Sequence, residues 1–375
     1  MKTNSIKLVF VQRVITSYRL ELLKLLCNHF SEVGIITSRG NKMGTLKVAK
    51  YKETISEISN LTIHELPSYK IGYKGESRST NFFLYPKAIS IIKKYDVIIF
   101  EGTTNLINNL YLIPYAKLLG KKTIWWDAGY SLPKRSLKRK IIDNTVKPLI
   151  KLTDIQMAYS SLAKDYMSKY MGAKQVFLNL NTINTSYFEQ ISDEINRSLD
   201  NYKFKKNNIK LLYVGVIESR KKVKELIEIV LNLNELQESK QYNLTVIGGG
   251  NQLNELQDFT KKYINIQVLG PIYDKEKLKE YYFNSDLFVL PGDGGLAILQ
   301  SILFGLPVLS IVGADGTELD YIPKKEYLAK DLNEISEFLK KLENIDRKLF
   351  INQVQNLSSS FWIDNLITQI KKIPS

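Results

Sequence analysis

The sequence predicts an α/β protein in which parallel strands alternate with helices. Between residues 211 and 312, short apolar runs alternate with longer segments whose apolar residues recur at helical spacing. Strands of about four to eight apolar residues in this rhythm are typical of a doubly wound parallel sheet. The first half repeats the rhythm less regularly. The whole chain has 375 residues, which is the length of about two domains of roughly 100–200 residues each.

The second half is the more regular one. The strand LLYVGVI leads into a basic turn, ESRKK, and the helix VKELIEIVLNLNEL. The next strand, YNLTVIGGG, ends in three glycines, and after a helix a third strand closes on Leu269-Gly270-Pro271. A further helix precedes the strand DLFVLPG, which runs into Gly292-Asp293-Gly294-Gly295, the helix LAILQSILFG and the strand LPVLSIV. Since ligands of such sheets bind beyond the carboxyl ends of the strands, the glycines and the basic turn predict a site for a phosphorylated small molecule.

The first half begins with the strand IKLVFVQRV, a helix from Tyr18 to Phe30 and the strand VGIITS. Polar stretches at 39–60 and 68–81 are predicted to be loops. The pattern resumes with a strand ending at Phe100, a helix ending at Leu119 and the strand KKTIWWDAG.

These patterns divide the chain into two Rossmann-like domains. We expect a first domain over 1–190, a polar linker over 191–208 and a second domain over 209–358. A final helix within 359–375 carries Phe361, Trp362, Leu366 and Ile370 on one face. This apolar face predicts that the helix packs back onto the first domain. Two such domains are expected to face each other across a cleft.

The charge balance favours an anionic partner. The chain carries a net charge of +15, and 44% of its residues are hydrophobic. Nucleotide phosphate, an anionic membrane surface and nucleic acid would each suit a basic protein. A lysine-rich composition without a functional cause is the alternative, so only local clusters of charge carry an argument.

Cysteine and histidine are scarce. The single Cys27 excludes an intramolecular disulfide and fits a reducing compartment. His29 and His64 are the two histidines, and the sequence contains neither H-x-x-x-H nor C-x-x-C, so a zinc site is not expected. The apolar stretch 106–119 is interrupted by polar residues and falls short of the roughly 18 apolar residues of a membrane span. We expect a cytoplasmic protein, either soluble or peripheral on the inner face of the membrane.

Two features of the second half suit phosphate binding. The loop from Pro291 to Gly295 precedes a helix, where backbone N–H groups and the helix dipole favour an anion. Arg220, Lys221 and Lys222 follow a strand at the same predicted edge, and a diphosphate needs one or two such cations. A ligand-free tight turn and a solvated helix start are the alternatives.

The order of these segments resembles the donor half of GT-B glycosyltransferases, and most closely the large retaining family 4. The resemblance is carried by G-V-I-E-S-R-K-K, V-I-G-G-G, V-L-G-P-I, Y-Y-F-N-S-D-L-F-V-L-P-G and G-G-L-A-I-L-Q-S-I-L-F-G-L-P-V-L. The segment 176–186 and the first strand and helix are also similar to the family. The resemblance implies transfer of a sugar from a nucleotide-diphosphate sugar to a saccharide, often lipid-linked, in bacterial surface polysaccharide synthesis such as capsule or O-antigen.

The resemblance also assigns residues to the donor site. Lys221 falls on the diphosphate-binding lysine of the family, while its partner arginine falls on Val216, so Arg220 would have to replace it. Two family glutamates fall on Gly292 and Gln300. As a neutral amide, Gln300 can still bond hydroxyls. The complete donor set is Gly215, Gly248, Gly249, Gly250, Gly270, Pro271, Gly292, Asp293, Gly294, Gly295, Leu296 and Gln300.

No D-x-D motif is present in the sequence. The resemblance therefore implies a metal-independent enzyme without a cofactor, in which lysine and arginine take the place of Mg²⁺. Its usual outcome is retention of the anomeric configuration.

Candidates in the first half follow its strands. Asp127 is a candidate catalytic residue that could orient the sugar or the acceptor, although a turn aspartate would look the same. Arg13, Tyr18 and Glu101 are candidate acceptor contacts, with ordinary loop residues as the alternative. Glu318 could contact the nucleotide or cap a helix.

A basic amphipathic segment covers residues 134–147. Six cations surround an apolar helical pattern, namely Lys134, Arg135, Lys138, Arg139, Lys140 and Lys147. Such a helix can lie on anionic lipid, or it can be an ordinary surface helix with a core-facing stripe. Nucleic acid is not expected, because the cations are not interleaved with an aromatic platform.

Two rival functions stay open. A nucleotide-sugar epimerase of the same fold would need cleft carboxylates and histidines, and both histidines are poorly placed for that chemistry. A catalytically degenerate GT-B partner protein is suggested by Val216, Gly292 and Gln300.

Overall fold

The computed structural model describes residues 5–13, 15–38, 58–67, 69–71, 82–102, 106–128, 137–236, 239–312, 319–352 and 357–374. The chain divides into two compact units. The first unit comprises Met1–Asn184 and Ser358–Ser375, and the second comprises Thr185–Leu357.

The first unit contains a seven-stranded parallel sheet in the order β3-β2-β1-β6-β7-β8-β9. Its strands are β1 Lys7–Val11, β2 Glu32–Ser38, β3 Leu61–Leu66, β6 Val97–Glu101, β7 Lys122–Asp127, β8 Ile155–Ala158 and β9 Val176–Leu178. A separate antiparallel hairpin joins β4 Tyr69–Ile71 to β5 Phe82–Leu84. The order outward from β1 is that of a Rossmann sheet with one added strand.

The second unit contains a six-stranded parallel sheet in the order β12-β11-β10-β13-β14-β15. Its strands are β10 Asn208–Val214, β11 Gln241–Ile247, β12 Ile266–Val268, β13 Leu287–Leu290, β14 Val308–Ile311 and β15 Leu328–Ala329. Counted from β10, this is the Rossmann order 3-2-1-4-5-6. The predicted α/β class with two Rossmann-like domains is confirmed.

Helices connect the strands throughout the described chain. The α-helices of the first unit are Ser17–Leu26, Ala88–Ile92, Leu106–Leu118, Leu137–Leu152, Ser161–Asp165 and Ser359–Lys372, with a π-helix at Tyr166–Tyr170. Those of the second unit are Ser186–Gln190, Ser192–Asn201, Val223–Leu236, Leu253–Thr260, Lys275–Asn284, Ala297–Leu303, Leu332–Lys341 and Arg347–Ile351. Three short 3₁₀ segments lie at Ser219–Lys221, Leu319–Tyr321 and Lys325–Tyr327.

The first sheet is buried on both faces. Leu8 and Phe10 of β1 belong to one apolar cluster, whereas Val9 and Val11 belong to the other. Because successive side chains of a strand point to opposite faces, helices must cover both sides of this sheet. The continuous apolar run that predicted β1 from the sequence is the direct consequence.

The C-terminal helix Ser359–Lys372 completes one of these two faces. Trp362, Leu366 and Ile370 are buried in the same cluster as Leu8 and Phe10. The Asn179 side chain also donates to the Trp362 carbonyl over 3.2 Å. The last 18 residues therefore belong to the first unit although they follow the second in sequence.

The structure differs from the predicted linker at 191–208. The helix Ser192–Asn201 occupies most of this segment, and the unit boundary lies earlier, between Asn184 and Thr185. Ile191, Ile195 and Leu199 are buried at a spacing of four residues. An otherwise polar segment thus carries one apolar stripe, which general polarity concealed and helical periodicity would have detected.

A buried arginine ties the end of this helix to two other helices of the second unit. Arg347 is 3% exposed, and its guanidinium donates to the carbonyls of Tyr282, Phe283 and Gly305 over 3.2, 3.2 and 2.9 Å. These carbonyls lie at the ends of two helices, where intrahelical partners run out. The guanidinium also lies 4.8 Å from the ring centre of Tyr202.

We expect Arg347→Met to lower the free energy of unfolding by about 3 kcal/mol, because it leaves buried helix-end carbonyls without donors. Urea denaturation followed by circular dichroism measures the loss. The three tryptophans, Trp125, Trp126 and Trp362, all lie in the first unit, so their fluorescence should change less than the dichroism. Lys348→Met is the control, since Lys348 is 65% exposed in its pair with Asp200. Equal effects of the two substitutions would contradict the assigned role of Arg347.

Candidate functional site

Four turns lie at the carboxyl edge of the second sheet. The basic turn, 215–222, follows β10, and the triple-glycine turn, 248–250, follows β11. The turn at Gly270 and Pro271 follows β12, and the second glycine turn, 291–296, follows β13. Because β12, β11, β10 and β13 are neighbours in the sheet, their turns are neighbours as well.

The triple-glycine turn is bonded to the turns on both its sides. Gly248 donates its amide to the Gly270 carbonyl over 2.9 Å, and Ile217 of the basic turn donates to the Gly249 carbonyl over 2.9 Å. A side chain at Gly248 would place its Cβ 1.7 Å from the Gly215 oxygen. Glycine is therefore required here by the close approach of two backbones.

The second glycine turn also contacts the basic turn. A Cβ on Gly292 would lie 2.4 Å from the Arg220 oxygen and 2.7 Å from the Lys221 Cα. The amide of Asp293 donates to the Arg220 carbonyl over 3.2 Å. Glycine occupies position 292, where the family that the sequence resembles has glutamate. The structure supplies a reason, because no side chain fits at this position.

Two of the three predicted cations of the basic turn, Arg220 and Lys221, contact the second glycine turn. The Lys221 amine donates to the carbonyls of Asp293 and Gly294 over 2.6 and 2.9 Å. The Arg220 guanidinium donates to Glu218 over 2.9 Å and to Asp293 over 3.2 Å. Burial by itself would lower the pKa of Arg220, but the hydrogen bonds and charges of Asp293 and Glu218 outweigh it and raise the pKa.

The other predicted donor residues lie on the same edge. Leu296 precedes the helix Ala297–Leu303, and Gln300 lies within that helix; both are half-buried. Gly295 precedes Leu296, and Pro271 is exposed beside the triple-glycine turn. Val216, the position of the family's arginine, is half-buried, and its carbonyl accepts a bond from the Tyr213 hydroxyl over 2.9 Å. The predicted donor set is thus gathered on one sheet edge, and its role stays a prediction.

In the first unit, three predicted residues lie at the carboxyl ends of adjacent strands. The Arg13 amide donates to the Glu101 carboxylate over 2.7 Å, which joins the ends of β1 and β6. A Cβ on Gly102 would lie 2.3 Å from the Asp127 carboxylate at the end of β7. Arg13 and Asp127 are buried. These three residues are therefore close in the fold.

Two other candidates lie wholly or partly outside the described residues. The backbone of Tyr18 lies in the helix Ser17–Leu26, but its side chain is outside the described part of the chain. Glu318 falls outside it entirely.

Sequence reasoning missed Arg19. Its guanidinium lies 4.2 Å from the ring centre of Trp126 and 5.3 Å from that of Tyr159, and it donates to the Tyr159 hydroxyl. Arg19 is buried beside the end of β7. A basic residue inside the apolar pattern of the first helix, near the predicted turn, was the signal that could have identified it.

The basic amphipathic segment forms the helix Leu137–Leu152 from its fourth residue onward, and residues 134–136 fall outside the described part. Val146, Leu149 and Ile150 are buried in the first unit. The side chains of Lys140, Lys147 and Lys151 are exposed, and Ile141 is 68% exposed. The core-facing stripe is present, and a basic outer face with one exposed apolar side chain accompanies it.

Two kinds of feature, a membrane-spanning helix and a cluster of metal ligands, are absent from the described residues. None of the helices there has the length and apolar character needed to cross a membrane. Within the same residues, His, Cys, Asp and Glu side chains form no group of three or more that could hold a metal ion.

Comparison with known proteins agrees with this architecture. Residues 194–357 match the family model described as glycosyl transferases group 1. Among solved structures, the Anabaena protein HepE in complex with UDP is similar with a TM-score of 0.67 and 12% identity, covering 98% of this chain and 100% of that one. A glycosyltransferase from Rickettsia africae has a TM-score of 0.64 and 14% identity, covering 99% of both chains.

A UDP-forming trehalose-phosphate synthase from Burkholderia xenovorans has a TM-score of 0.60 and 11% identity, covering 99% of this chain and 100% of that one. Among curated proteins, none matches the sequence. At these identities the structures establish the fold. The chain therefore has the two-domain GT-B fold, and its second unit is similar to glycosyl transferases group 1.

The contacts of Gly292 make a testable prediction. Gly292→Ala should push the basic turn and the second glycine turn apart and lower the free energy of unfolding by about 1–3 kcal/mol, as overpacking does. Thermal unfolding measures the change. Gly249→Ala is the matched control, because its Cβ would meet its nearest neighbour at an ordinary 3.8 Å. If Gly292→Ala were as stable as Gly249→Ala, the two turns would not be as tightly packed as described.

Proposed function

We propose that the protein is a glycosyltransferase that moves a sugar from a nucleotide-diphosphate sugar to a saccharide acceptor. The observation that carries the proposal is the group formed by Arg220, Lys221 and two glycine turns at the carboxyl edge of a Rossmann sheet. The match of residues 194–357 to glycosyl transferases group 1 supports it. Solved structures of the similar HepE contain UDP and UDP-glucose.

The chemistry of the group suits a leaving nucleoside diphosphate. Negative charge grows on the diphosphate as its bond to the sugar breaks. Cations and amides that the fold already holds in place stabilise this charge best, because they need not reorganise during the reaction. Lys221 is fixed by two carbonyls and Arg220 by two carboxylates. In the same proposal, the neutral amide of Gln300 bonds hydroxyl groups of the donor.

We further propose metal-independent transfer with retention of configuration. Lysine and arginine would supply the charge that a divalent ion supplies elsewhere, and the resemblance to retaining family 4 supports the stereochemical outcome. Arg13, Glu101 and Asp127 are proposed to bind or orient the acceptor.

The acceptor is proposed to be lipid-linked, as in bacterial surface polysaccharide synthesis. The exposed lysines of the helix Leu137–Leu152 and the exposed Ile141 support peripheral binding to an anionic membrane. A catalytically degenerate partner that still binds nucleotide is the second candidate, because position 292 has no room for the glutamate of the resembling family.

Nucleotide binding tests the proposal first. The protein is titrated with UDP, GDP, ADP, TDP and CMP, and with their common sugar conjugates, by calorimetry and thermal shift. We expect one nucleoside diphosphate to stabilise the fold by about 2.7 kcal/mol at a hundred times its dissociation constant. Lys221→Ala should weaken binding of that ligand by about tenfold to a hundredfold, because it removes a charged contact.

Lys224→Ala is the control, since Lys224 is exposed and pairs with Glu255 on a neighbouring helix. Binding of none of these ligands by the unmodified protein would refute the proposed function. Binding of a nucleotide sugar without hydrolysis or transfer of its sugar would favour the degenerate partner.

Membrane binding is tested separately by sedimentation with phosphatidylglycerol vesicles. Replacing Lys140, Lys147 and Lys151 by glutamine should reduce vesicle binding about a hundredfold, at about 1 kcal/mol for each lysine. The same change at Lys261, Lys340 and Lys341 of the second unit is the control with equal loss of charge. Equal weakening by both triple variants would show that net charge, and not this helix, mediates vesicle binding.

A further inference from the structure

Arg220 is held by two carboxylates from two different turns. Its Nε donates to Glu218 on the basic turn over 2.9 Å, and its Nη1 donates to Asp293 on the second glycine turn over 3.2 Å. The side chains of Arg220, Glu218 and Asp293 are 30%, 25% and 43% exposed. The ion pairs are thus partly shielded from solvent at the edge where the donor is proposed to bind.

Asp293 contacts the basic turn through three groups. Its amide donates to the Arg220 carbonyl, its own carbonyl accepts from the Lys221 amine, and its carboxylate accepts from the Arg220 guanidinium. The absence of a side chain at Gly292 permits this approach. Asp293 therefore joins the second glycine turn to the basic turn through both its backbone and its side chain.

We propose that Asp293 is a positioning residue for nucleoside diphosphate, which acts by fixing Arg220 and not by touching the donor sugar. A guanidinium has five N–H donors in a rigid plane, so two bonds, one from Nε and one from Nη1, fix the direction of the remaining N–H groups. Among the described residues, the Nη2 group of Arg220 has no hydrogen-bond partner. This inference rests on the proposed function, because the ligand to be positioned is the diphosphate of the donor.

The proposal predicts an effect opposite in sign to simple electrostatics. Removing a negative charge beside an anion site should tighten binding of an anionic ligand if charge alone matters. If Asp293 positions Arg220, its removal instead releases the guanidinium and weakens binding. Glu218 should act in the same direction, because it holds the same group.

The experiment is calorimetric titration of Asp293→Asn with the nucleoside diphosphate that binds the unmodified protein best, and with its nucleoside. We expect the diphosphate to bind about tenfold more weakly and the nucleoside to bind equally well. Glu218→Gln should give the same pattern and serves as the second variant if Asp293→Asn does not fold. Asp258→Asn is the matched control, since its 71% exposed carboxylate pairs with Lys261.

A double-mutant cycle tests whether the effect passes through Arg220. In an Arg220→Met background, Asp293→Asn should no longer weaken binding of the diphosphate. Three results would each overturn this inference without touching the proposed function. Asp293→Asn could bind the diphosphate equally well or more tightly, or it could bind the nucleoside and the diphosphate with equal loss of affinity. The third result is that Asp293→Asn weakens diphosphate binding to the same extent without Arg220. Failure of the unmodified protein to bind any nucleoside diphosphate would overturn the proposed function as well.

Discussion

The close approach of backbone segments at the carboxyl edge of the second sheet is the constraint on which the candidate site depends. β11, β10 and β13 are adjacent and parallel, so the turns after them emerge side by side. Two of these approaches leave no space for a Cβ, at Gly248 against Gly215 and at Gly292 against Arg220 and Lys221. A side chain at either position would separate the turns and with them the groups that they carry.

This constraint also explains why the charged groups are arranged as they are. Once the second glycine turn lies against the basic turn, the carbonyls of Asp293 and Gly294 come within reach of the Lys221 amine. The Asp293 carboxylate likewise comes within reach of Arg220. Partly buried cations need such partners, because desolvation without compensation is costly. The fold itself therefore fixes these charges in place.

Apolar packing on both faces of its sheet is the main feature of the first unit. Its sheet is covered on both faces by apolar clusters, and the C-terminal helix supplies part of one of them. Polar side chains concentrate where the strands end, with Arg13, Glu101 and Asp127 on three adjacent strands. Arg19 is buried against the rings of Trp126 and Tyr159 nearby, and its guanidinium also donates to the Tyr159 hydroxyl.

The sequence by itself determined the fold class and indicated which turns follow the strands at the carboxyl edge of the second sheet. Buried parallel strands are apolar along their whole length, and glycines follow them where two backbones approach closely, so both leave a local pattern. The same local reading placed the C-terminal helix with the first unit by its apolar face. It misjudged 191–208, because three buried side chains there were outweighed by polar neighbours.

Only the tertiary structure decided which residues contact one another within those edges. That Asp293 binds Arg220, that Lys221 binds two carbonyls, and that Gly292 has no space for a side chain all depend on segments about 70 residues apart in sequence. Arg19 could likewise not be assigned from the sequence, because its aromatic partners are more than 100 residues away. Such contacts leave no periodic signal along the chain, since they arise from the order of strands in the sheet.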